Sequence, residues 1–473
     1  MAIATVACAA CGGGNGSSPS AGSTNSKAAL EYGLGPEKND QVTFQPDVVI
    51  VSGGPDSIRS VSDGGLTWTI DGSAAGVQDL TPGKIMFVTG RGVGRVLAIA
   101  DAGPDRKVTI GPVTVTDVIR DGTFEQSGIS LADAFEHQGV PPDFESEDTG
   151  QATPSALLSS TVAPQGVELA AAHGTGADVR LVADSGTNCC SHIHGAINKD
   201  TGDFKFFGTA DLDIDKPGAT FKLAITAGGI KHAELKVTGG MSLHVDFQAG
   251  VEHAQGSRTF QVPLGSDFSV PLGLVLGVPL SVTVHQSVLV KTAFGAQVGT
   301  IKGDGTFALG AALGFSYDGS KFSNDSQINF TRKQSLIDSL KGVPVGVMGV
   351  VIDHLTKFTV GFSAFVLTAG VYVLLDTKVG ATLGSGLGAP LAECRGVGVG
   401  VFASFGIGYT LRQSVADLVN KFLSLFKVKP INREGGIRSP QQKLFSAEEV
   451  VPDVAICGHA GDAGPASGGG GGG

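Results

Sequence analysis

The residues best equipped for chemistry lie in one short stretch, Cys189-Cys190-Ser191-His192-Ile193-His194. Side chains two apart in an extended chain share a face, so a strand here would line up Cys190, His192 and His194. Thiolate sulfur beside imidazole nitrogen suits zinc or copper. No second ligand cluster follows in the sequence at standard metal-site spacing, so the expected assignment is no metal, with Cys189 and Cys190 as disulfide candidates. Cys394 and Cys457 are the other two candidates. Four cysteines allow three pairings. A Cys394–Cys457 bridge would staple the C-terminal segment to the body, and closing a loop of about 60 residues is worth about 4 kcal/mol in the chain-entropy account. The 10 histidines are otherwise scattered, and a lone one such as His285, in Val282-Thr283-Val284-His285, reads as structural. Neither a G-x-S-x-G elbow nor an H-E-x-x-H helix occurs. No catalytic residue and no cofactor is therefore expected.

Three motifs lack their structural setting. Ser52-Gly53-Gly54-Pro55-Asp56-Ser57 matches the SGGxDS signature of PP-loop ATP pyrophosphatases residue for residue. In that family the loop runs into a helix whose N-terminal amides complete the anion site. Here Gly64-Gly65 and the strand-like Leu66-Thr67-Trp68-Thr69-Ile70 follow too soon for such a helix. Thr89-Gly90-Arg91-Gly92-Val93-Gly94-Arg95 resembles a dinucleotide loop, but Arg95 stands where the third glycine is required. Asp211, Asp213 and Asp215 have calcium-loop spacing, yet Lys216 and Lys222 occupy the glycine and bidentate-glutamate positions. The alternating acids read instead as the wet face of a strand.

The elements that would position these residues are extended. Phe221-Lys222-Leu223-Ala224-Ile225, Glu234-Leu235-Lys236-Val237 and Leu243-His244-Val245-Asp246-Phe247 alternate with period two, the pattern of an antiparallel sheet with one solvated face. Val48–Val51, Leu66–Ile70 and Val113–Thr116 read as shorter strands, punctuated by Gly53-Gly54, Gly64-Gly65, Asp71-Gly72 and Asp121-Gly122. Helix is expected over Val415–Phe426, ended by Pro430, with weaker candidates at Ser335–Leu340 and Val345–Leu355. The expected fold is all-β: a small N-terminal β module (42–155) and a larger antiparallel sandwich-like or barrel-like domain (156–430) with one or two short helices. Residues 1–41 read as a signal remnant and Gly/Ser tether, and 431–473 as a C-terminal segment ending in a disordered glycine-rich tail. Thr359–Leu375 is uncharged but too short for a membrane helix, so it reads as a buried strand pair.

Composition narrows the function classes. The 473 residues include 72 Gly, and 33 Lys+Arg against 44 Asp+Glu give a net charge of −11, which opposes nucleic-acid or anionic-membrane partners. Mean hydropathy is +0.19, as for a chain that folds. With 25 Phe but only 4 Tyr and 1 Trp, the chain lacks the aromatics for the two girdles of a membrane barrel or for a sugar-stacking platform.

From Met1 to Ser26 no residue is charged, and Val6-Ala7-Cys8-Ala9-Ala10-Cys11 runs into Gly12-Gly13-Gly14-Asn15-Gly16-Ser17-Ser18. This resembles the lipobox of bacterial lipoproteins. The resemblance implies cleavage after Ala10, lipid on Cys11 and, from Gly12 at the next position, delivery to the outer membrane. Leu80–Val88, Gly92–Leu97, Val108–Ile110 and Thr116–Ile119, with Val278–Val284 and Gly310–Gly319, are similar to segments of uncharacterised bacterial exported and surface proteins. The expected location is the cell envelope or the exterior, with the membrane as partner through the anchor. The expected function is non-catalytic binding or adhesion toward an extracellular protein. The alternatives are a carrier or shield of an apolar, lipid-like ligand, for which a cavity of about 300 Å³ or more would be needed, and a secreted hydrolase.

Overall fold

A computed structural model describes residues 26–62, 64–131, 135–137, 192–200, 202–252, 256–263, 267–294, 298–343, 347–363, 367–386, 389–411, 413–425 and 430–452. The chain opens with α1 (Lys27–Tyr32), β1 (Thr43–Phe44), β2 (Val48–Ile50), β3 (Ile58–Val61), β4 (Thr67–Ile70), β5 (Ile85–Phe87), β6 (Val93–Ala102) and β7 (Asp105–Gly111). One helical turn, α2 (Val115–Val118), leads into β8 (Ile119–Ser130) and β9 (Phe135–His137). Then come β10 (His192–Asp200), β11 (Phe204–Thr226), β12 (Gly229–Glu252), β13 (Gly256–Pro263), β14 (Asp267–Val275), β15 (Val278–Phe294) and β16 (Val298–Tyr317). β17 (Phe322–Asn324), β18 (Gln327–Gln334), α3 (Leu336–Ser339), β19 (Lys341–Val343), β20 (Val347–Ser363) and β21 (Leu367–Gly386) follow. The described chain closes with β22 (Ala389–Leu411), α4 (Gln413–Leu425), β23 (Glu434–Arg438) and β24 (Gln442–Val451).

The fold is all-β, as the alternation predicts, and it is a sandwich with open edges, not a closed barrel. Sheet I runs β1-β8-β11-β12-β16-β17, with β10 on β11 and both β18 and β19 on β16. Sheet II runs β23-β22-β21-β20-β15-β14-β9, with β13 on β15 and β24 on β22. A third, six-stranded sheet, β2-β5-β6-β7-β4-β3, is built from the N-terminal strands and contains one parallel pair, β2 with β5. β1 and β8, although they flank that module in sequence, pair with each other in sheet I.

The long strands follow from the patterning. β12, of 24 residues, buries Ala233, Leu235 and Val237 and then Leu243, Val245 and Phe247, while Lys236 and Asp246 face solvent. β11 begins by burying Phe204 and Phe206 but later buries Ala219, Phe221 and Leu223, a change of parity. The change occurs at a bulge between Asp215 and Gly218. An extra residue there flips every later side chain to the other face, and Pro217, which has no N–H to lose, suits the bulge.

Two local expectations need correction. Val345–Leu355 is strand where described, because β20 starts at Val347 and its β-branched Val350, Val351 and Ile352 pack better in a pleated sheet than on a helix. Val113–Thr116 is not a strand. Thr114 and Asp117 cap one another's backbone N–H groups and start the α2 turn at Val115. The helices expected near Ser335–Leu340 and Val415–Phe426 are α3 and α4. The uncharged Thr359–Leu375 stretch falls in the β20–β21 hairpin. Among the described residues no helix is long and apolar enough to cross a membrane.

The N-terminal sheet shares a core with the sandwich. Ile85 and Phe87 of β5 pack in the same apolar cluster as Val360, Phe362 and Phe405, and the Phe87 and Phe362 rings meet edge to face at 5.4 Å. The opposite face of that sheet holds Trp68, fully buried, whose indole N–H donates to the Gly65 carbonyl at 3.0 Å. Trp68 is the one tryptophan of the chain. Its emission is expected to be blue in the native state and to shift red in urea in the same transition as the far-UV circular dichroism, because the module and sandwich bury one another's side chains. An earlier, separate tryptophan transition would show that the shared core does not couple them.

Candidate functional site

The three signature-like loops resolve into structure first. Ser52–Ser57 turns at Gly53 (φ 90°) and Gly54 (φ 50°) into one 3-10 turn, Gly54–Ser57, and then directly into β3. A Cβ on Gly35 would meet the Gly54 Cα at 3.0 Å and the Val88 carbonyl at 3.2 Å, so these glycines let two backbone segments touch. No helix N-terminus stands there to hold a phosphate. In the Arg91 loop the guanidinium donates to the Glu31 carbonyl at 2.8 Å, and burial lowers its pKa to about 10. The loop ties α1 to the module. Asp213 and Asp215 lie on the exposed face of β11, as the alternation predicts.

Sheet II carries the unusual chemistry. Midway along its strands a belt of polar side chains interrupts the apolar ones on both faces. Facing sheet I are Gln286, His354, Thr356 and Thr377, and they separate one apolar cluster (Val284, Phe358, Leu375) from another (Val290, Ile352, Val379). These positions come from three neighbouring strands, β15, β20 and β21. Burial holds the His354 imidazole down to about 4, with Asp376 acting weakly the other way. His354 and Thr377, with Leu243, Phe307, Leu309 and Val401, line a cavity of about 20 Å³. That volume accommodates about one water molecule, and His354 Nε2 and Thr377 Oγ1 make no protein hydrogen bond among the described residues.

The other face of the belt is charged. Asp353 and Lys378 are register partners, and Lys378 Nζ lies 3.5 Å from Asp353 Oδ2 and 3.2 Å from Asp376 Oδ2. Gln441 donates to the same Asp376 oxygen at 2.8 Å. All three charged groups are less than a tenth exposed. Burial, then the like charge of Asp376, pushes the Asp353 carboxyl well above the usual range. Burial alone would lower the Lys378 ammonium, but the two carboxylates outweigh it and raise its pKa. Further along, Lys357, 2% exposed, lies 3.0 Å from Glu434 and 4.0 Å above the Tyr372 ring. Burial lowers its pKa against the pull of Glu434. Sequence alone shows these residues only as polar letters in apolar runs. Their pairing needs the register.

Of the residues singled out by sequence, Cys394 is described: it sits in β22, buried and disulfide-bonded. Cys11, Cys189, Cys190 and Cys457 lie outside the described residues. His192 and His194 fall in β10, directly opposite Asp213 and Asp211. His285 is buried in β15, its ring nitrogen 3.3 Å from Thr368 Oγ1.

Fold and belt together define an all-β protein: a two-sheet sandwich of long strands with an N-terminal six-stranded module. The chain belongs to the family described as a domain of unknown function, DUF8402, whose model matches residues 160–439. Residues 28–121 match a second domain of unknown function, DUF8403. No curated protein and no solved structure matches the chain.

Proposed function

We propose that the protein is exported to the cell envelope, anchored through an acylated Cys11, and works by binding or adhesion without catalysis. The observation that carries the reading is the disulfide-bonded Cys394 in β22. The disulfide at Cys394 supports export, since such bonds persist in oxidising compartments. We assign its partner as Cys457. The register sets Val451 opposite Arg395, and Cys457 follows Val451 by only six residues. The envelope lipoprotein resemblance of residues 6–18 supplies the anchor.

Native mass spectrometry of the protein from its producing cell tests all three parts. The expected result is one acylated chain with Cys394 and Cys457 in a single disulfide-linked peptide and no stoichiometric apolar ligand. A lipid retained at one per chain would replace this reading by the carrier, and an unacylated Cys11 would remove the anchor.

A further inference from the structure

The charged side of the belt brings together an amine and two carboxyls, the groups an amide condensation needs. Lys378 and Asp353 are register partners in the β20–β21 hairpin, 25 positions apart in the chain. Asp376 precedes Lys378 by two residues and so projects from the same face. Lys378 Nζ is 3.5 Å from Asp353 Oδ2 and 3.2 Å from Asp376 Oδ2, and the two carboxyls are hydrogen-bonded to each other. These separations approach the range of about 3–3.5 Å from which bound groups react. The Oδ1 atom of each aspartate is buried without a protein hydrogen bond among the described residues, so neither has the full set of donors a buried anion needs. Gln441 donates to Asp376 Oδ2 at 2.8 Å, which makes Asp376 the better anion of the two.

We propose that Lys378 and Asp353 condense after folding into an intramolecular amide, with Asp376 moving the proton. Burial and the neighbouring charge favour Asp353 as the neutral acid, which makes it the electrophile. Asp376 takes one proton from the Lys378 ammonium, and the freed amine attacks Asp353 Cγ. The Nζ–Cγ bond forms and a Cγ–O bond breaks. The Asp353 hydroxyl leaves as water with a second proton from the nitrogen, and Asp376 keeps the first. A neutral acid, an ammonium and a carboxylate thus become an amide, a neutral acid and one water. Two opposite charges disappear from a place that water barely reaches, which drives the step. The two carboxylates hold the proton on Lys378, so its transfer to Asp376 is the slow part. Lys357 is as buried, but its carboxylate partner among the described residues is Glu434 alone, with no second carboxyl paired to move the proton. Condensation follows folding because only the register assembles the three groups. Freshly folded chain therefore holds an ion triad, and stability measured on it reads their charges alone. The amide then joins β20 to β21, so force along the chain crosses residues 353–378 without opening the hairpin. The chemistry is independent of the anchor and of the adhesion reading.

The test is tryptic peptide mapping by mass spectrometry of the full-length chain, refolded from urea, sampled at once and after several days, and reduced before digestion. Trypsin cuts after Lys357 but not after an acylated lysine. The expected product is a branched peptide joining Asp353 to Lys378, lighter than its two components by one water. It should accumulate with time in folded chain and be absent from chain held in urea. K378R and D376N should each abolish the branch with unchanged far-UV circular dichroism. D353N should give the same branched peptide with loss of ammonia in place of water, which marks position 353 as the electrophile. Wild-type chain that yields only the two linear peptides, at their full masses, overturns the proposal whether or not the variants fold. Water lost within a single peptide would mean a cyclic imide or an Asp376–Lys378 loop, and would overturn it as well.

Discussion

Replacing Lys378 by methionine is expected to destabilise the protein by about 3–5 kcal/mol, read as a lower urea midpoint with an unchanged slope. The ammonium lies within 3.5 Å of two carboxylates that water barely reaches. Removing it leaves Asp353 and Asp376 facing one another with their repulsion uncompensated. One of them can stay neutral by holding a proton, the form that burial favours at Asp353, but the other must then be buried as an anion or forced to protonate. The companion experiment replaces all three, with Asp353→Leu, Lys378→Met and Asp376→Leu together. Because burying ions costs several kcal/mol before their attraction returns any of it, the triple variant is expected to lie within about 1 kcal/mol of wild type or above it. If the single substitution costs nothing, Lys378 is not the counter-ion that its position indicates. If the triple variant is as damaged as the single one, the belt does more than balance its own charge.

The second large effect is a loss of stability in mild acid through His354. Its folded-state pKa is held down to about 4 by burial, whereas the unfolded chain takes up the proton near 6.5. Above 6.5 neither state is protonated and the group contributes nothing to the pH dependence. As pH falls from 6.5 to 4 the unfolded state gains a proton that the folded state refuses, so stability declines, and below about 4 the slope from this group ends. The integrated loss is about 3 kcal/mol. His354→Gln removes the titration, so wild type should lose about 3 kcal/mol more than the variant between pH 7 and pH 4 in chemical denaturation. Parallel curves for the two proteins would mean that the imidazole is protonated, or hydrated, within the sandwich. The cavity beside His354 is where that difference would originate.

Much of this architecture is readable from letters alone, and what is not readable has identifiable causes. The alternation Ala233, Leu235, Val237 and Leu243, Val245, Phe247 states which face of β12 is dry, because a pleated strand has a period of two whatever it pairs with. The short helices near Ser335 and Val415 follow from apolar spacing at helical period. Val345–Leu355 misleads because a strand buried on both faces has no alternation, and its continuous apolar run can be taken for a helix face. Thr114 misleads because a β-branched residue that suggests a strand also makes a good N-cap. The parity change in β11 has a trace in Pro217, but where a bulge falls depends on the partner strand.

Composition and periodicity were by themselves enough to establish an all-β chain with solvated and buried strand faces, since both depend only on local chemistry. They also mark His192, His194, Asp211 and Asp213 as polar residues in segments with strand spacing, whereas Asp353 falls in the stretch Val345–Leu355 that spacing alone reads as helix. Whether those residues meet is a matter of register, and register is a property of two strands. His192 and Asp213 are 21 positions apart in the chain and adjacent across β10 and β11. Asp353 and Lys378 are adjacent across β20 and β21 for the same reason. A shift of one residue in either pairing would send the partners to opposite faces. Tertiary structure therefore decided which charges are neighbours and which are buried.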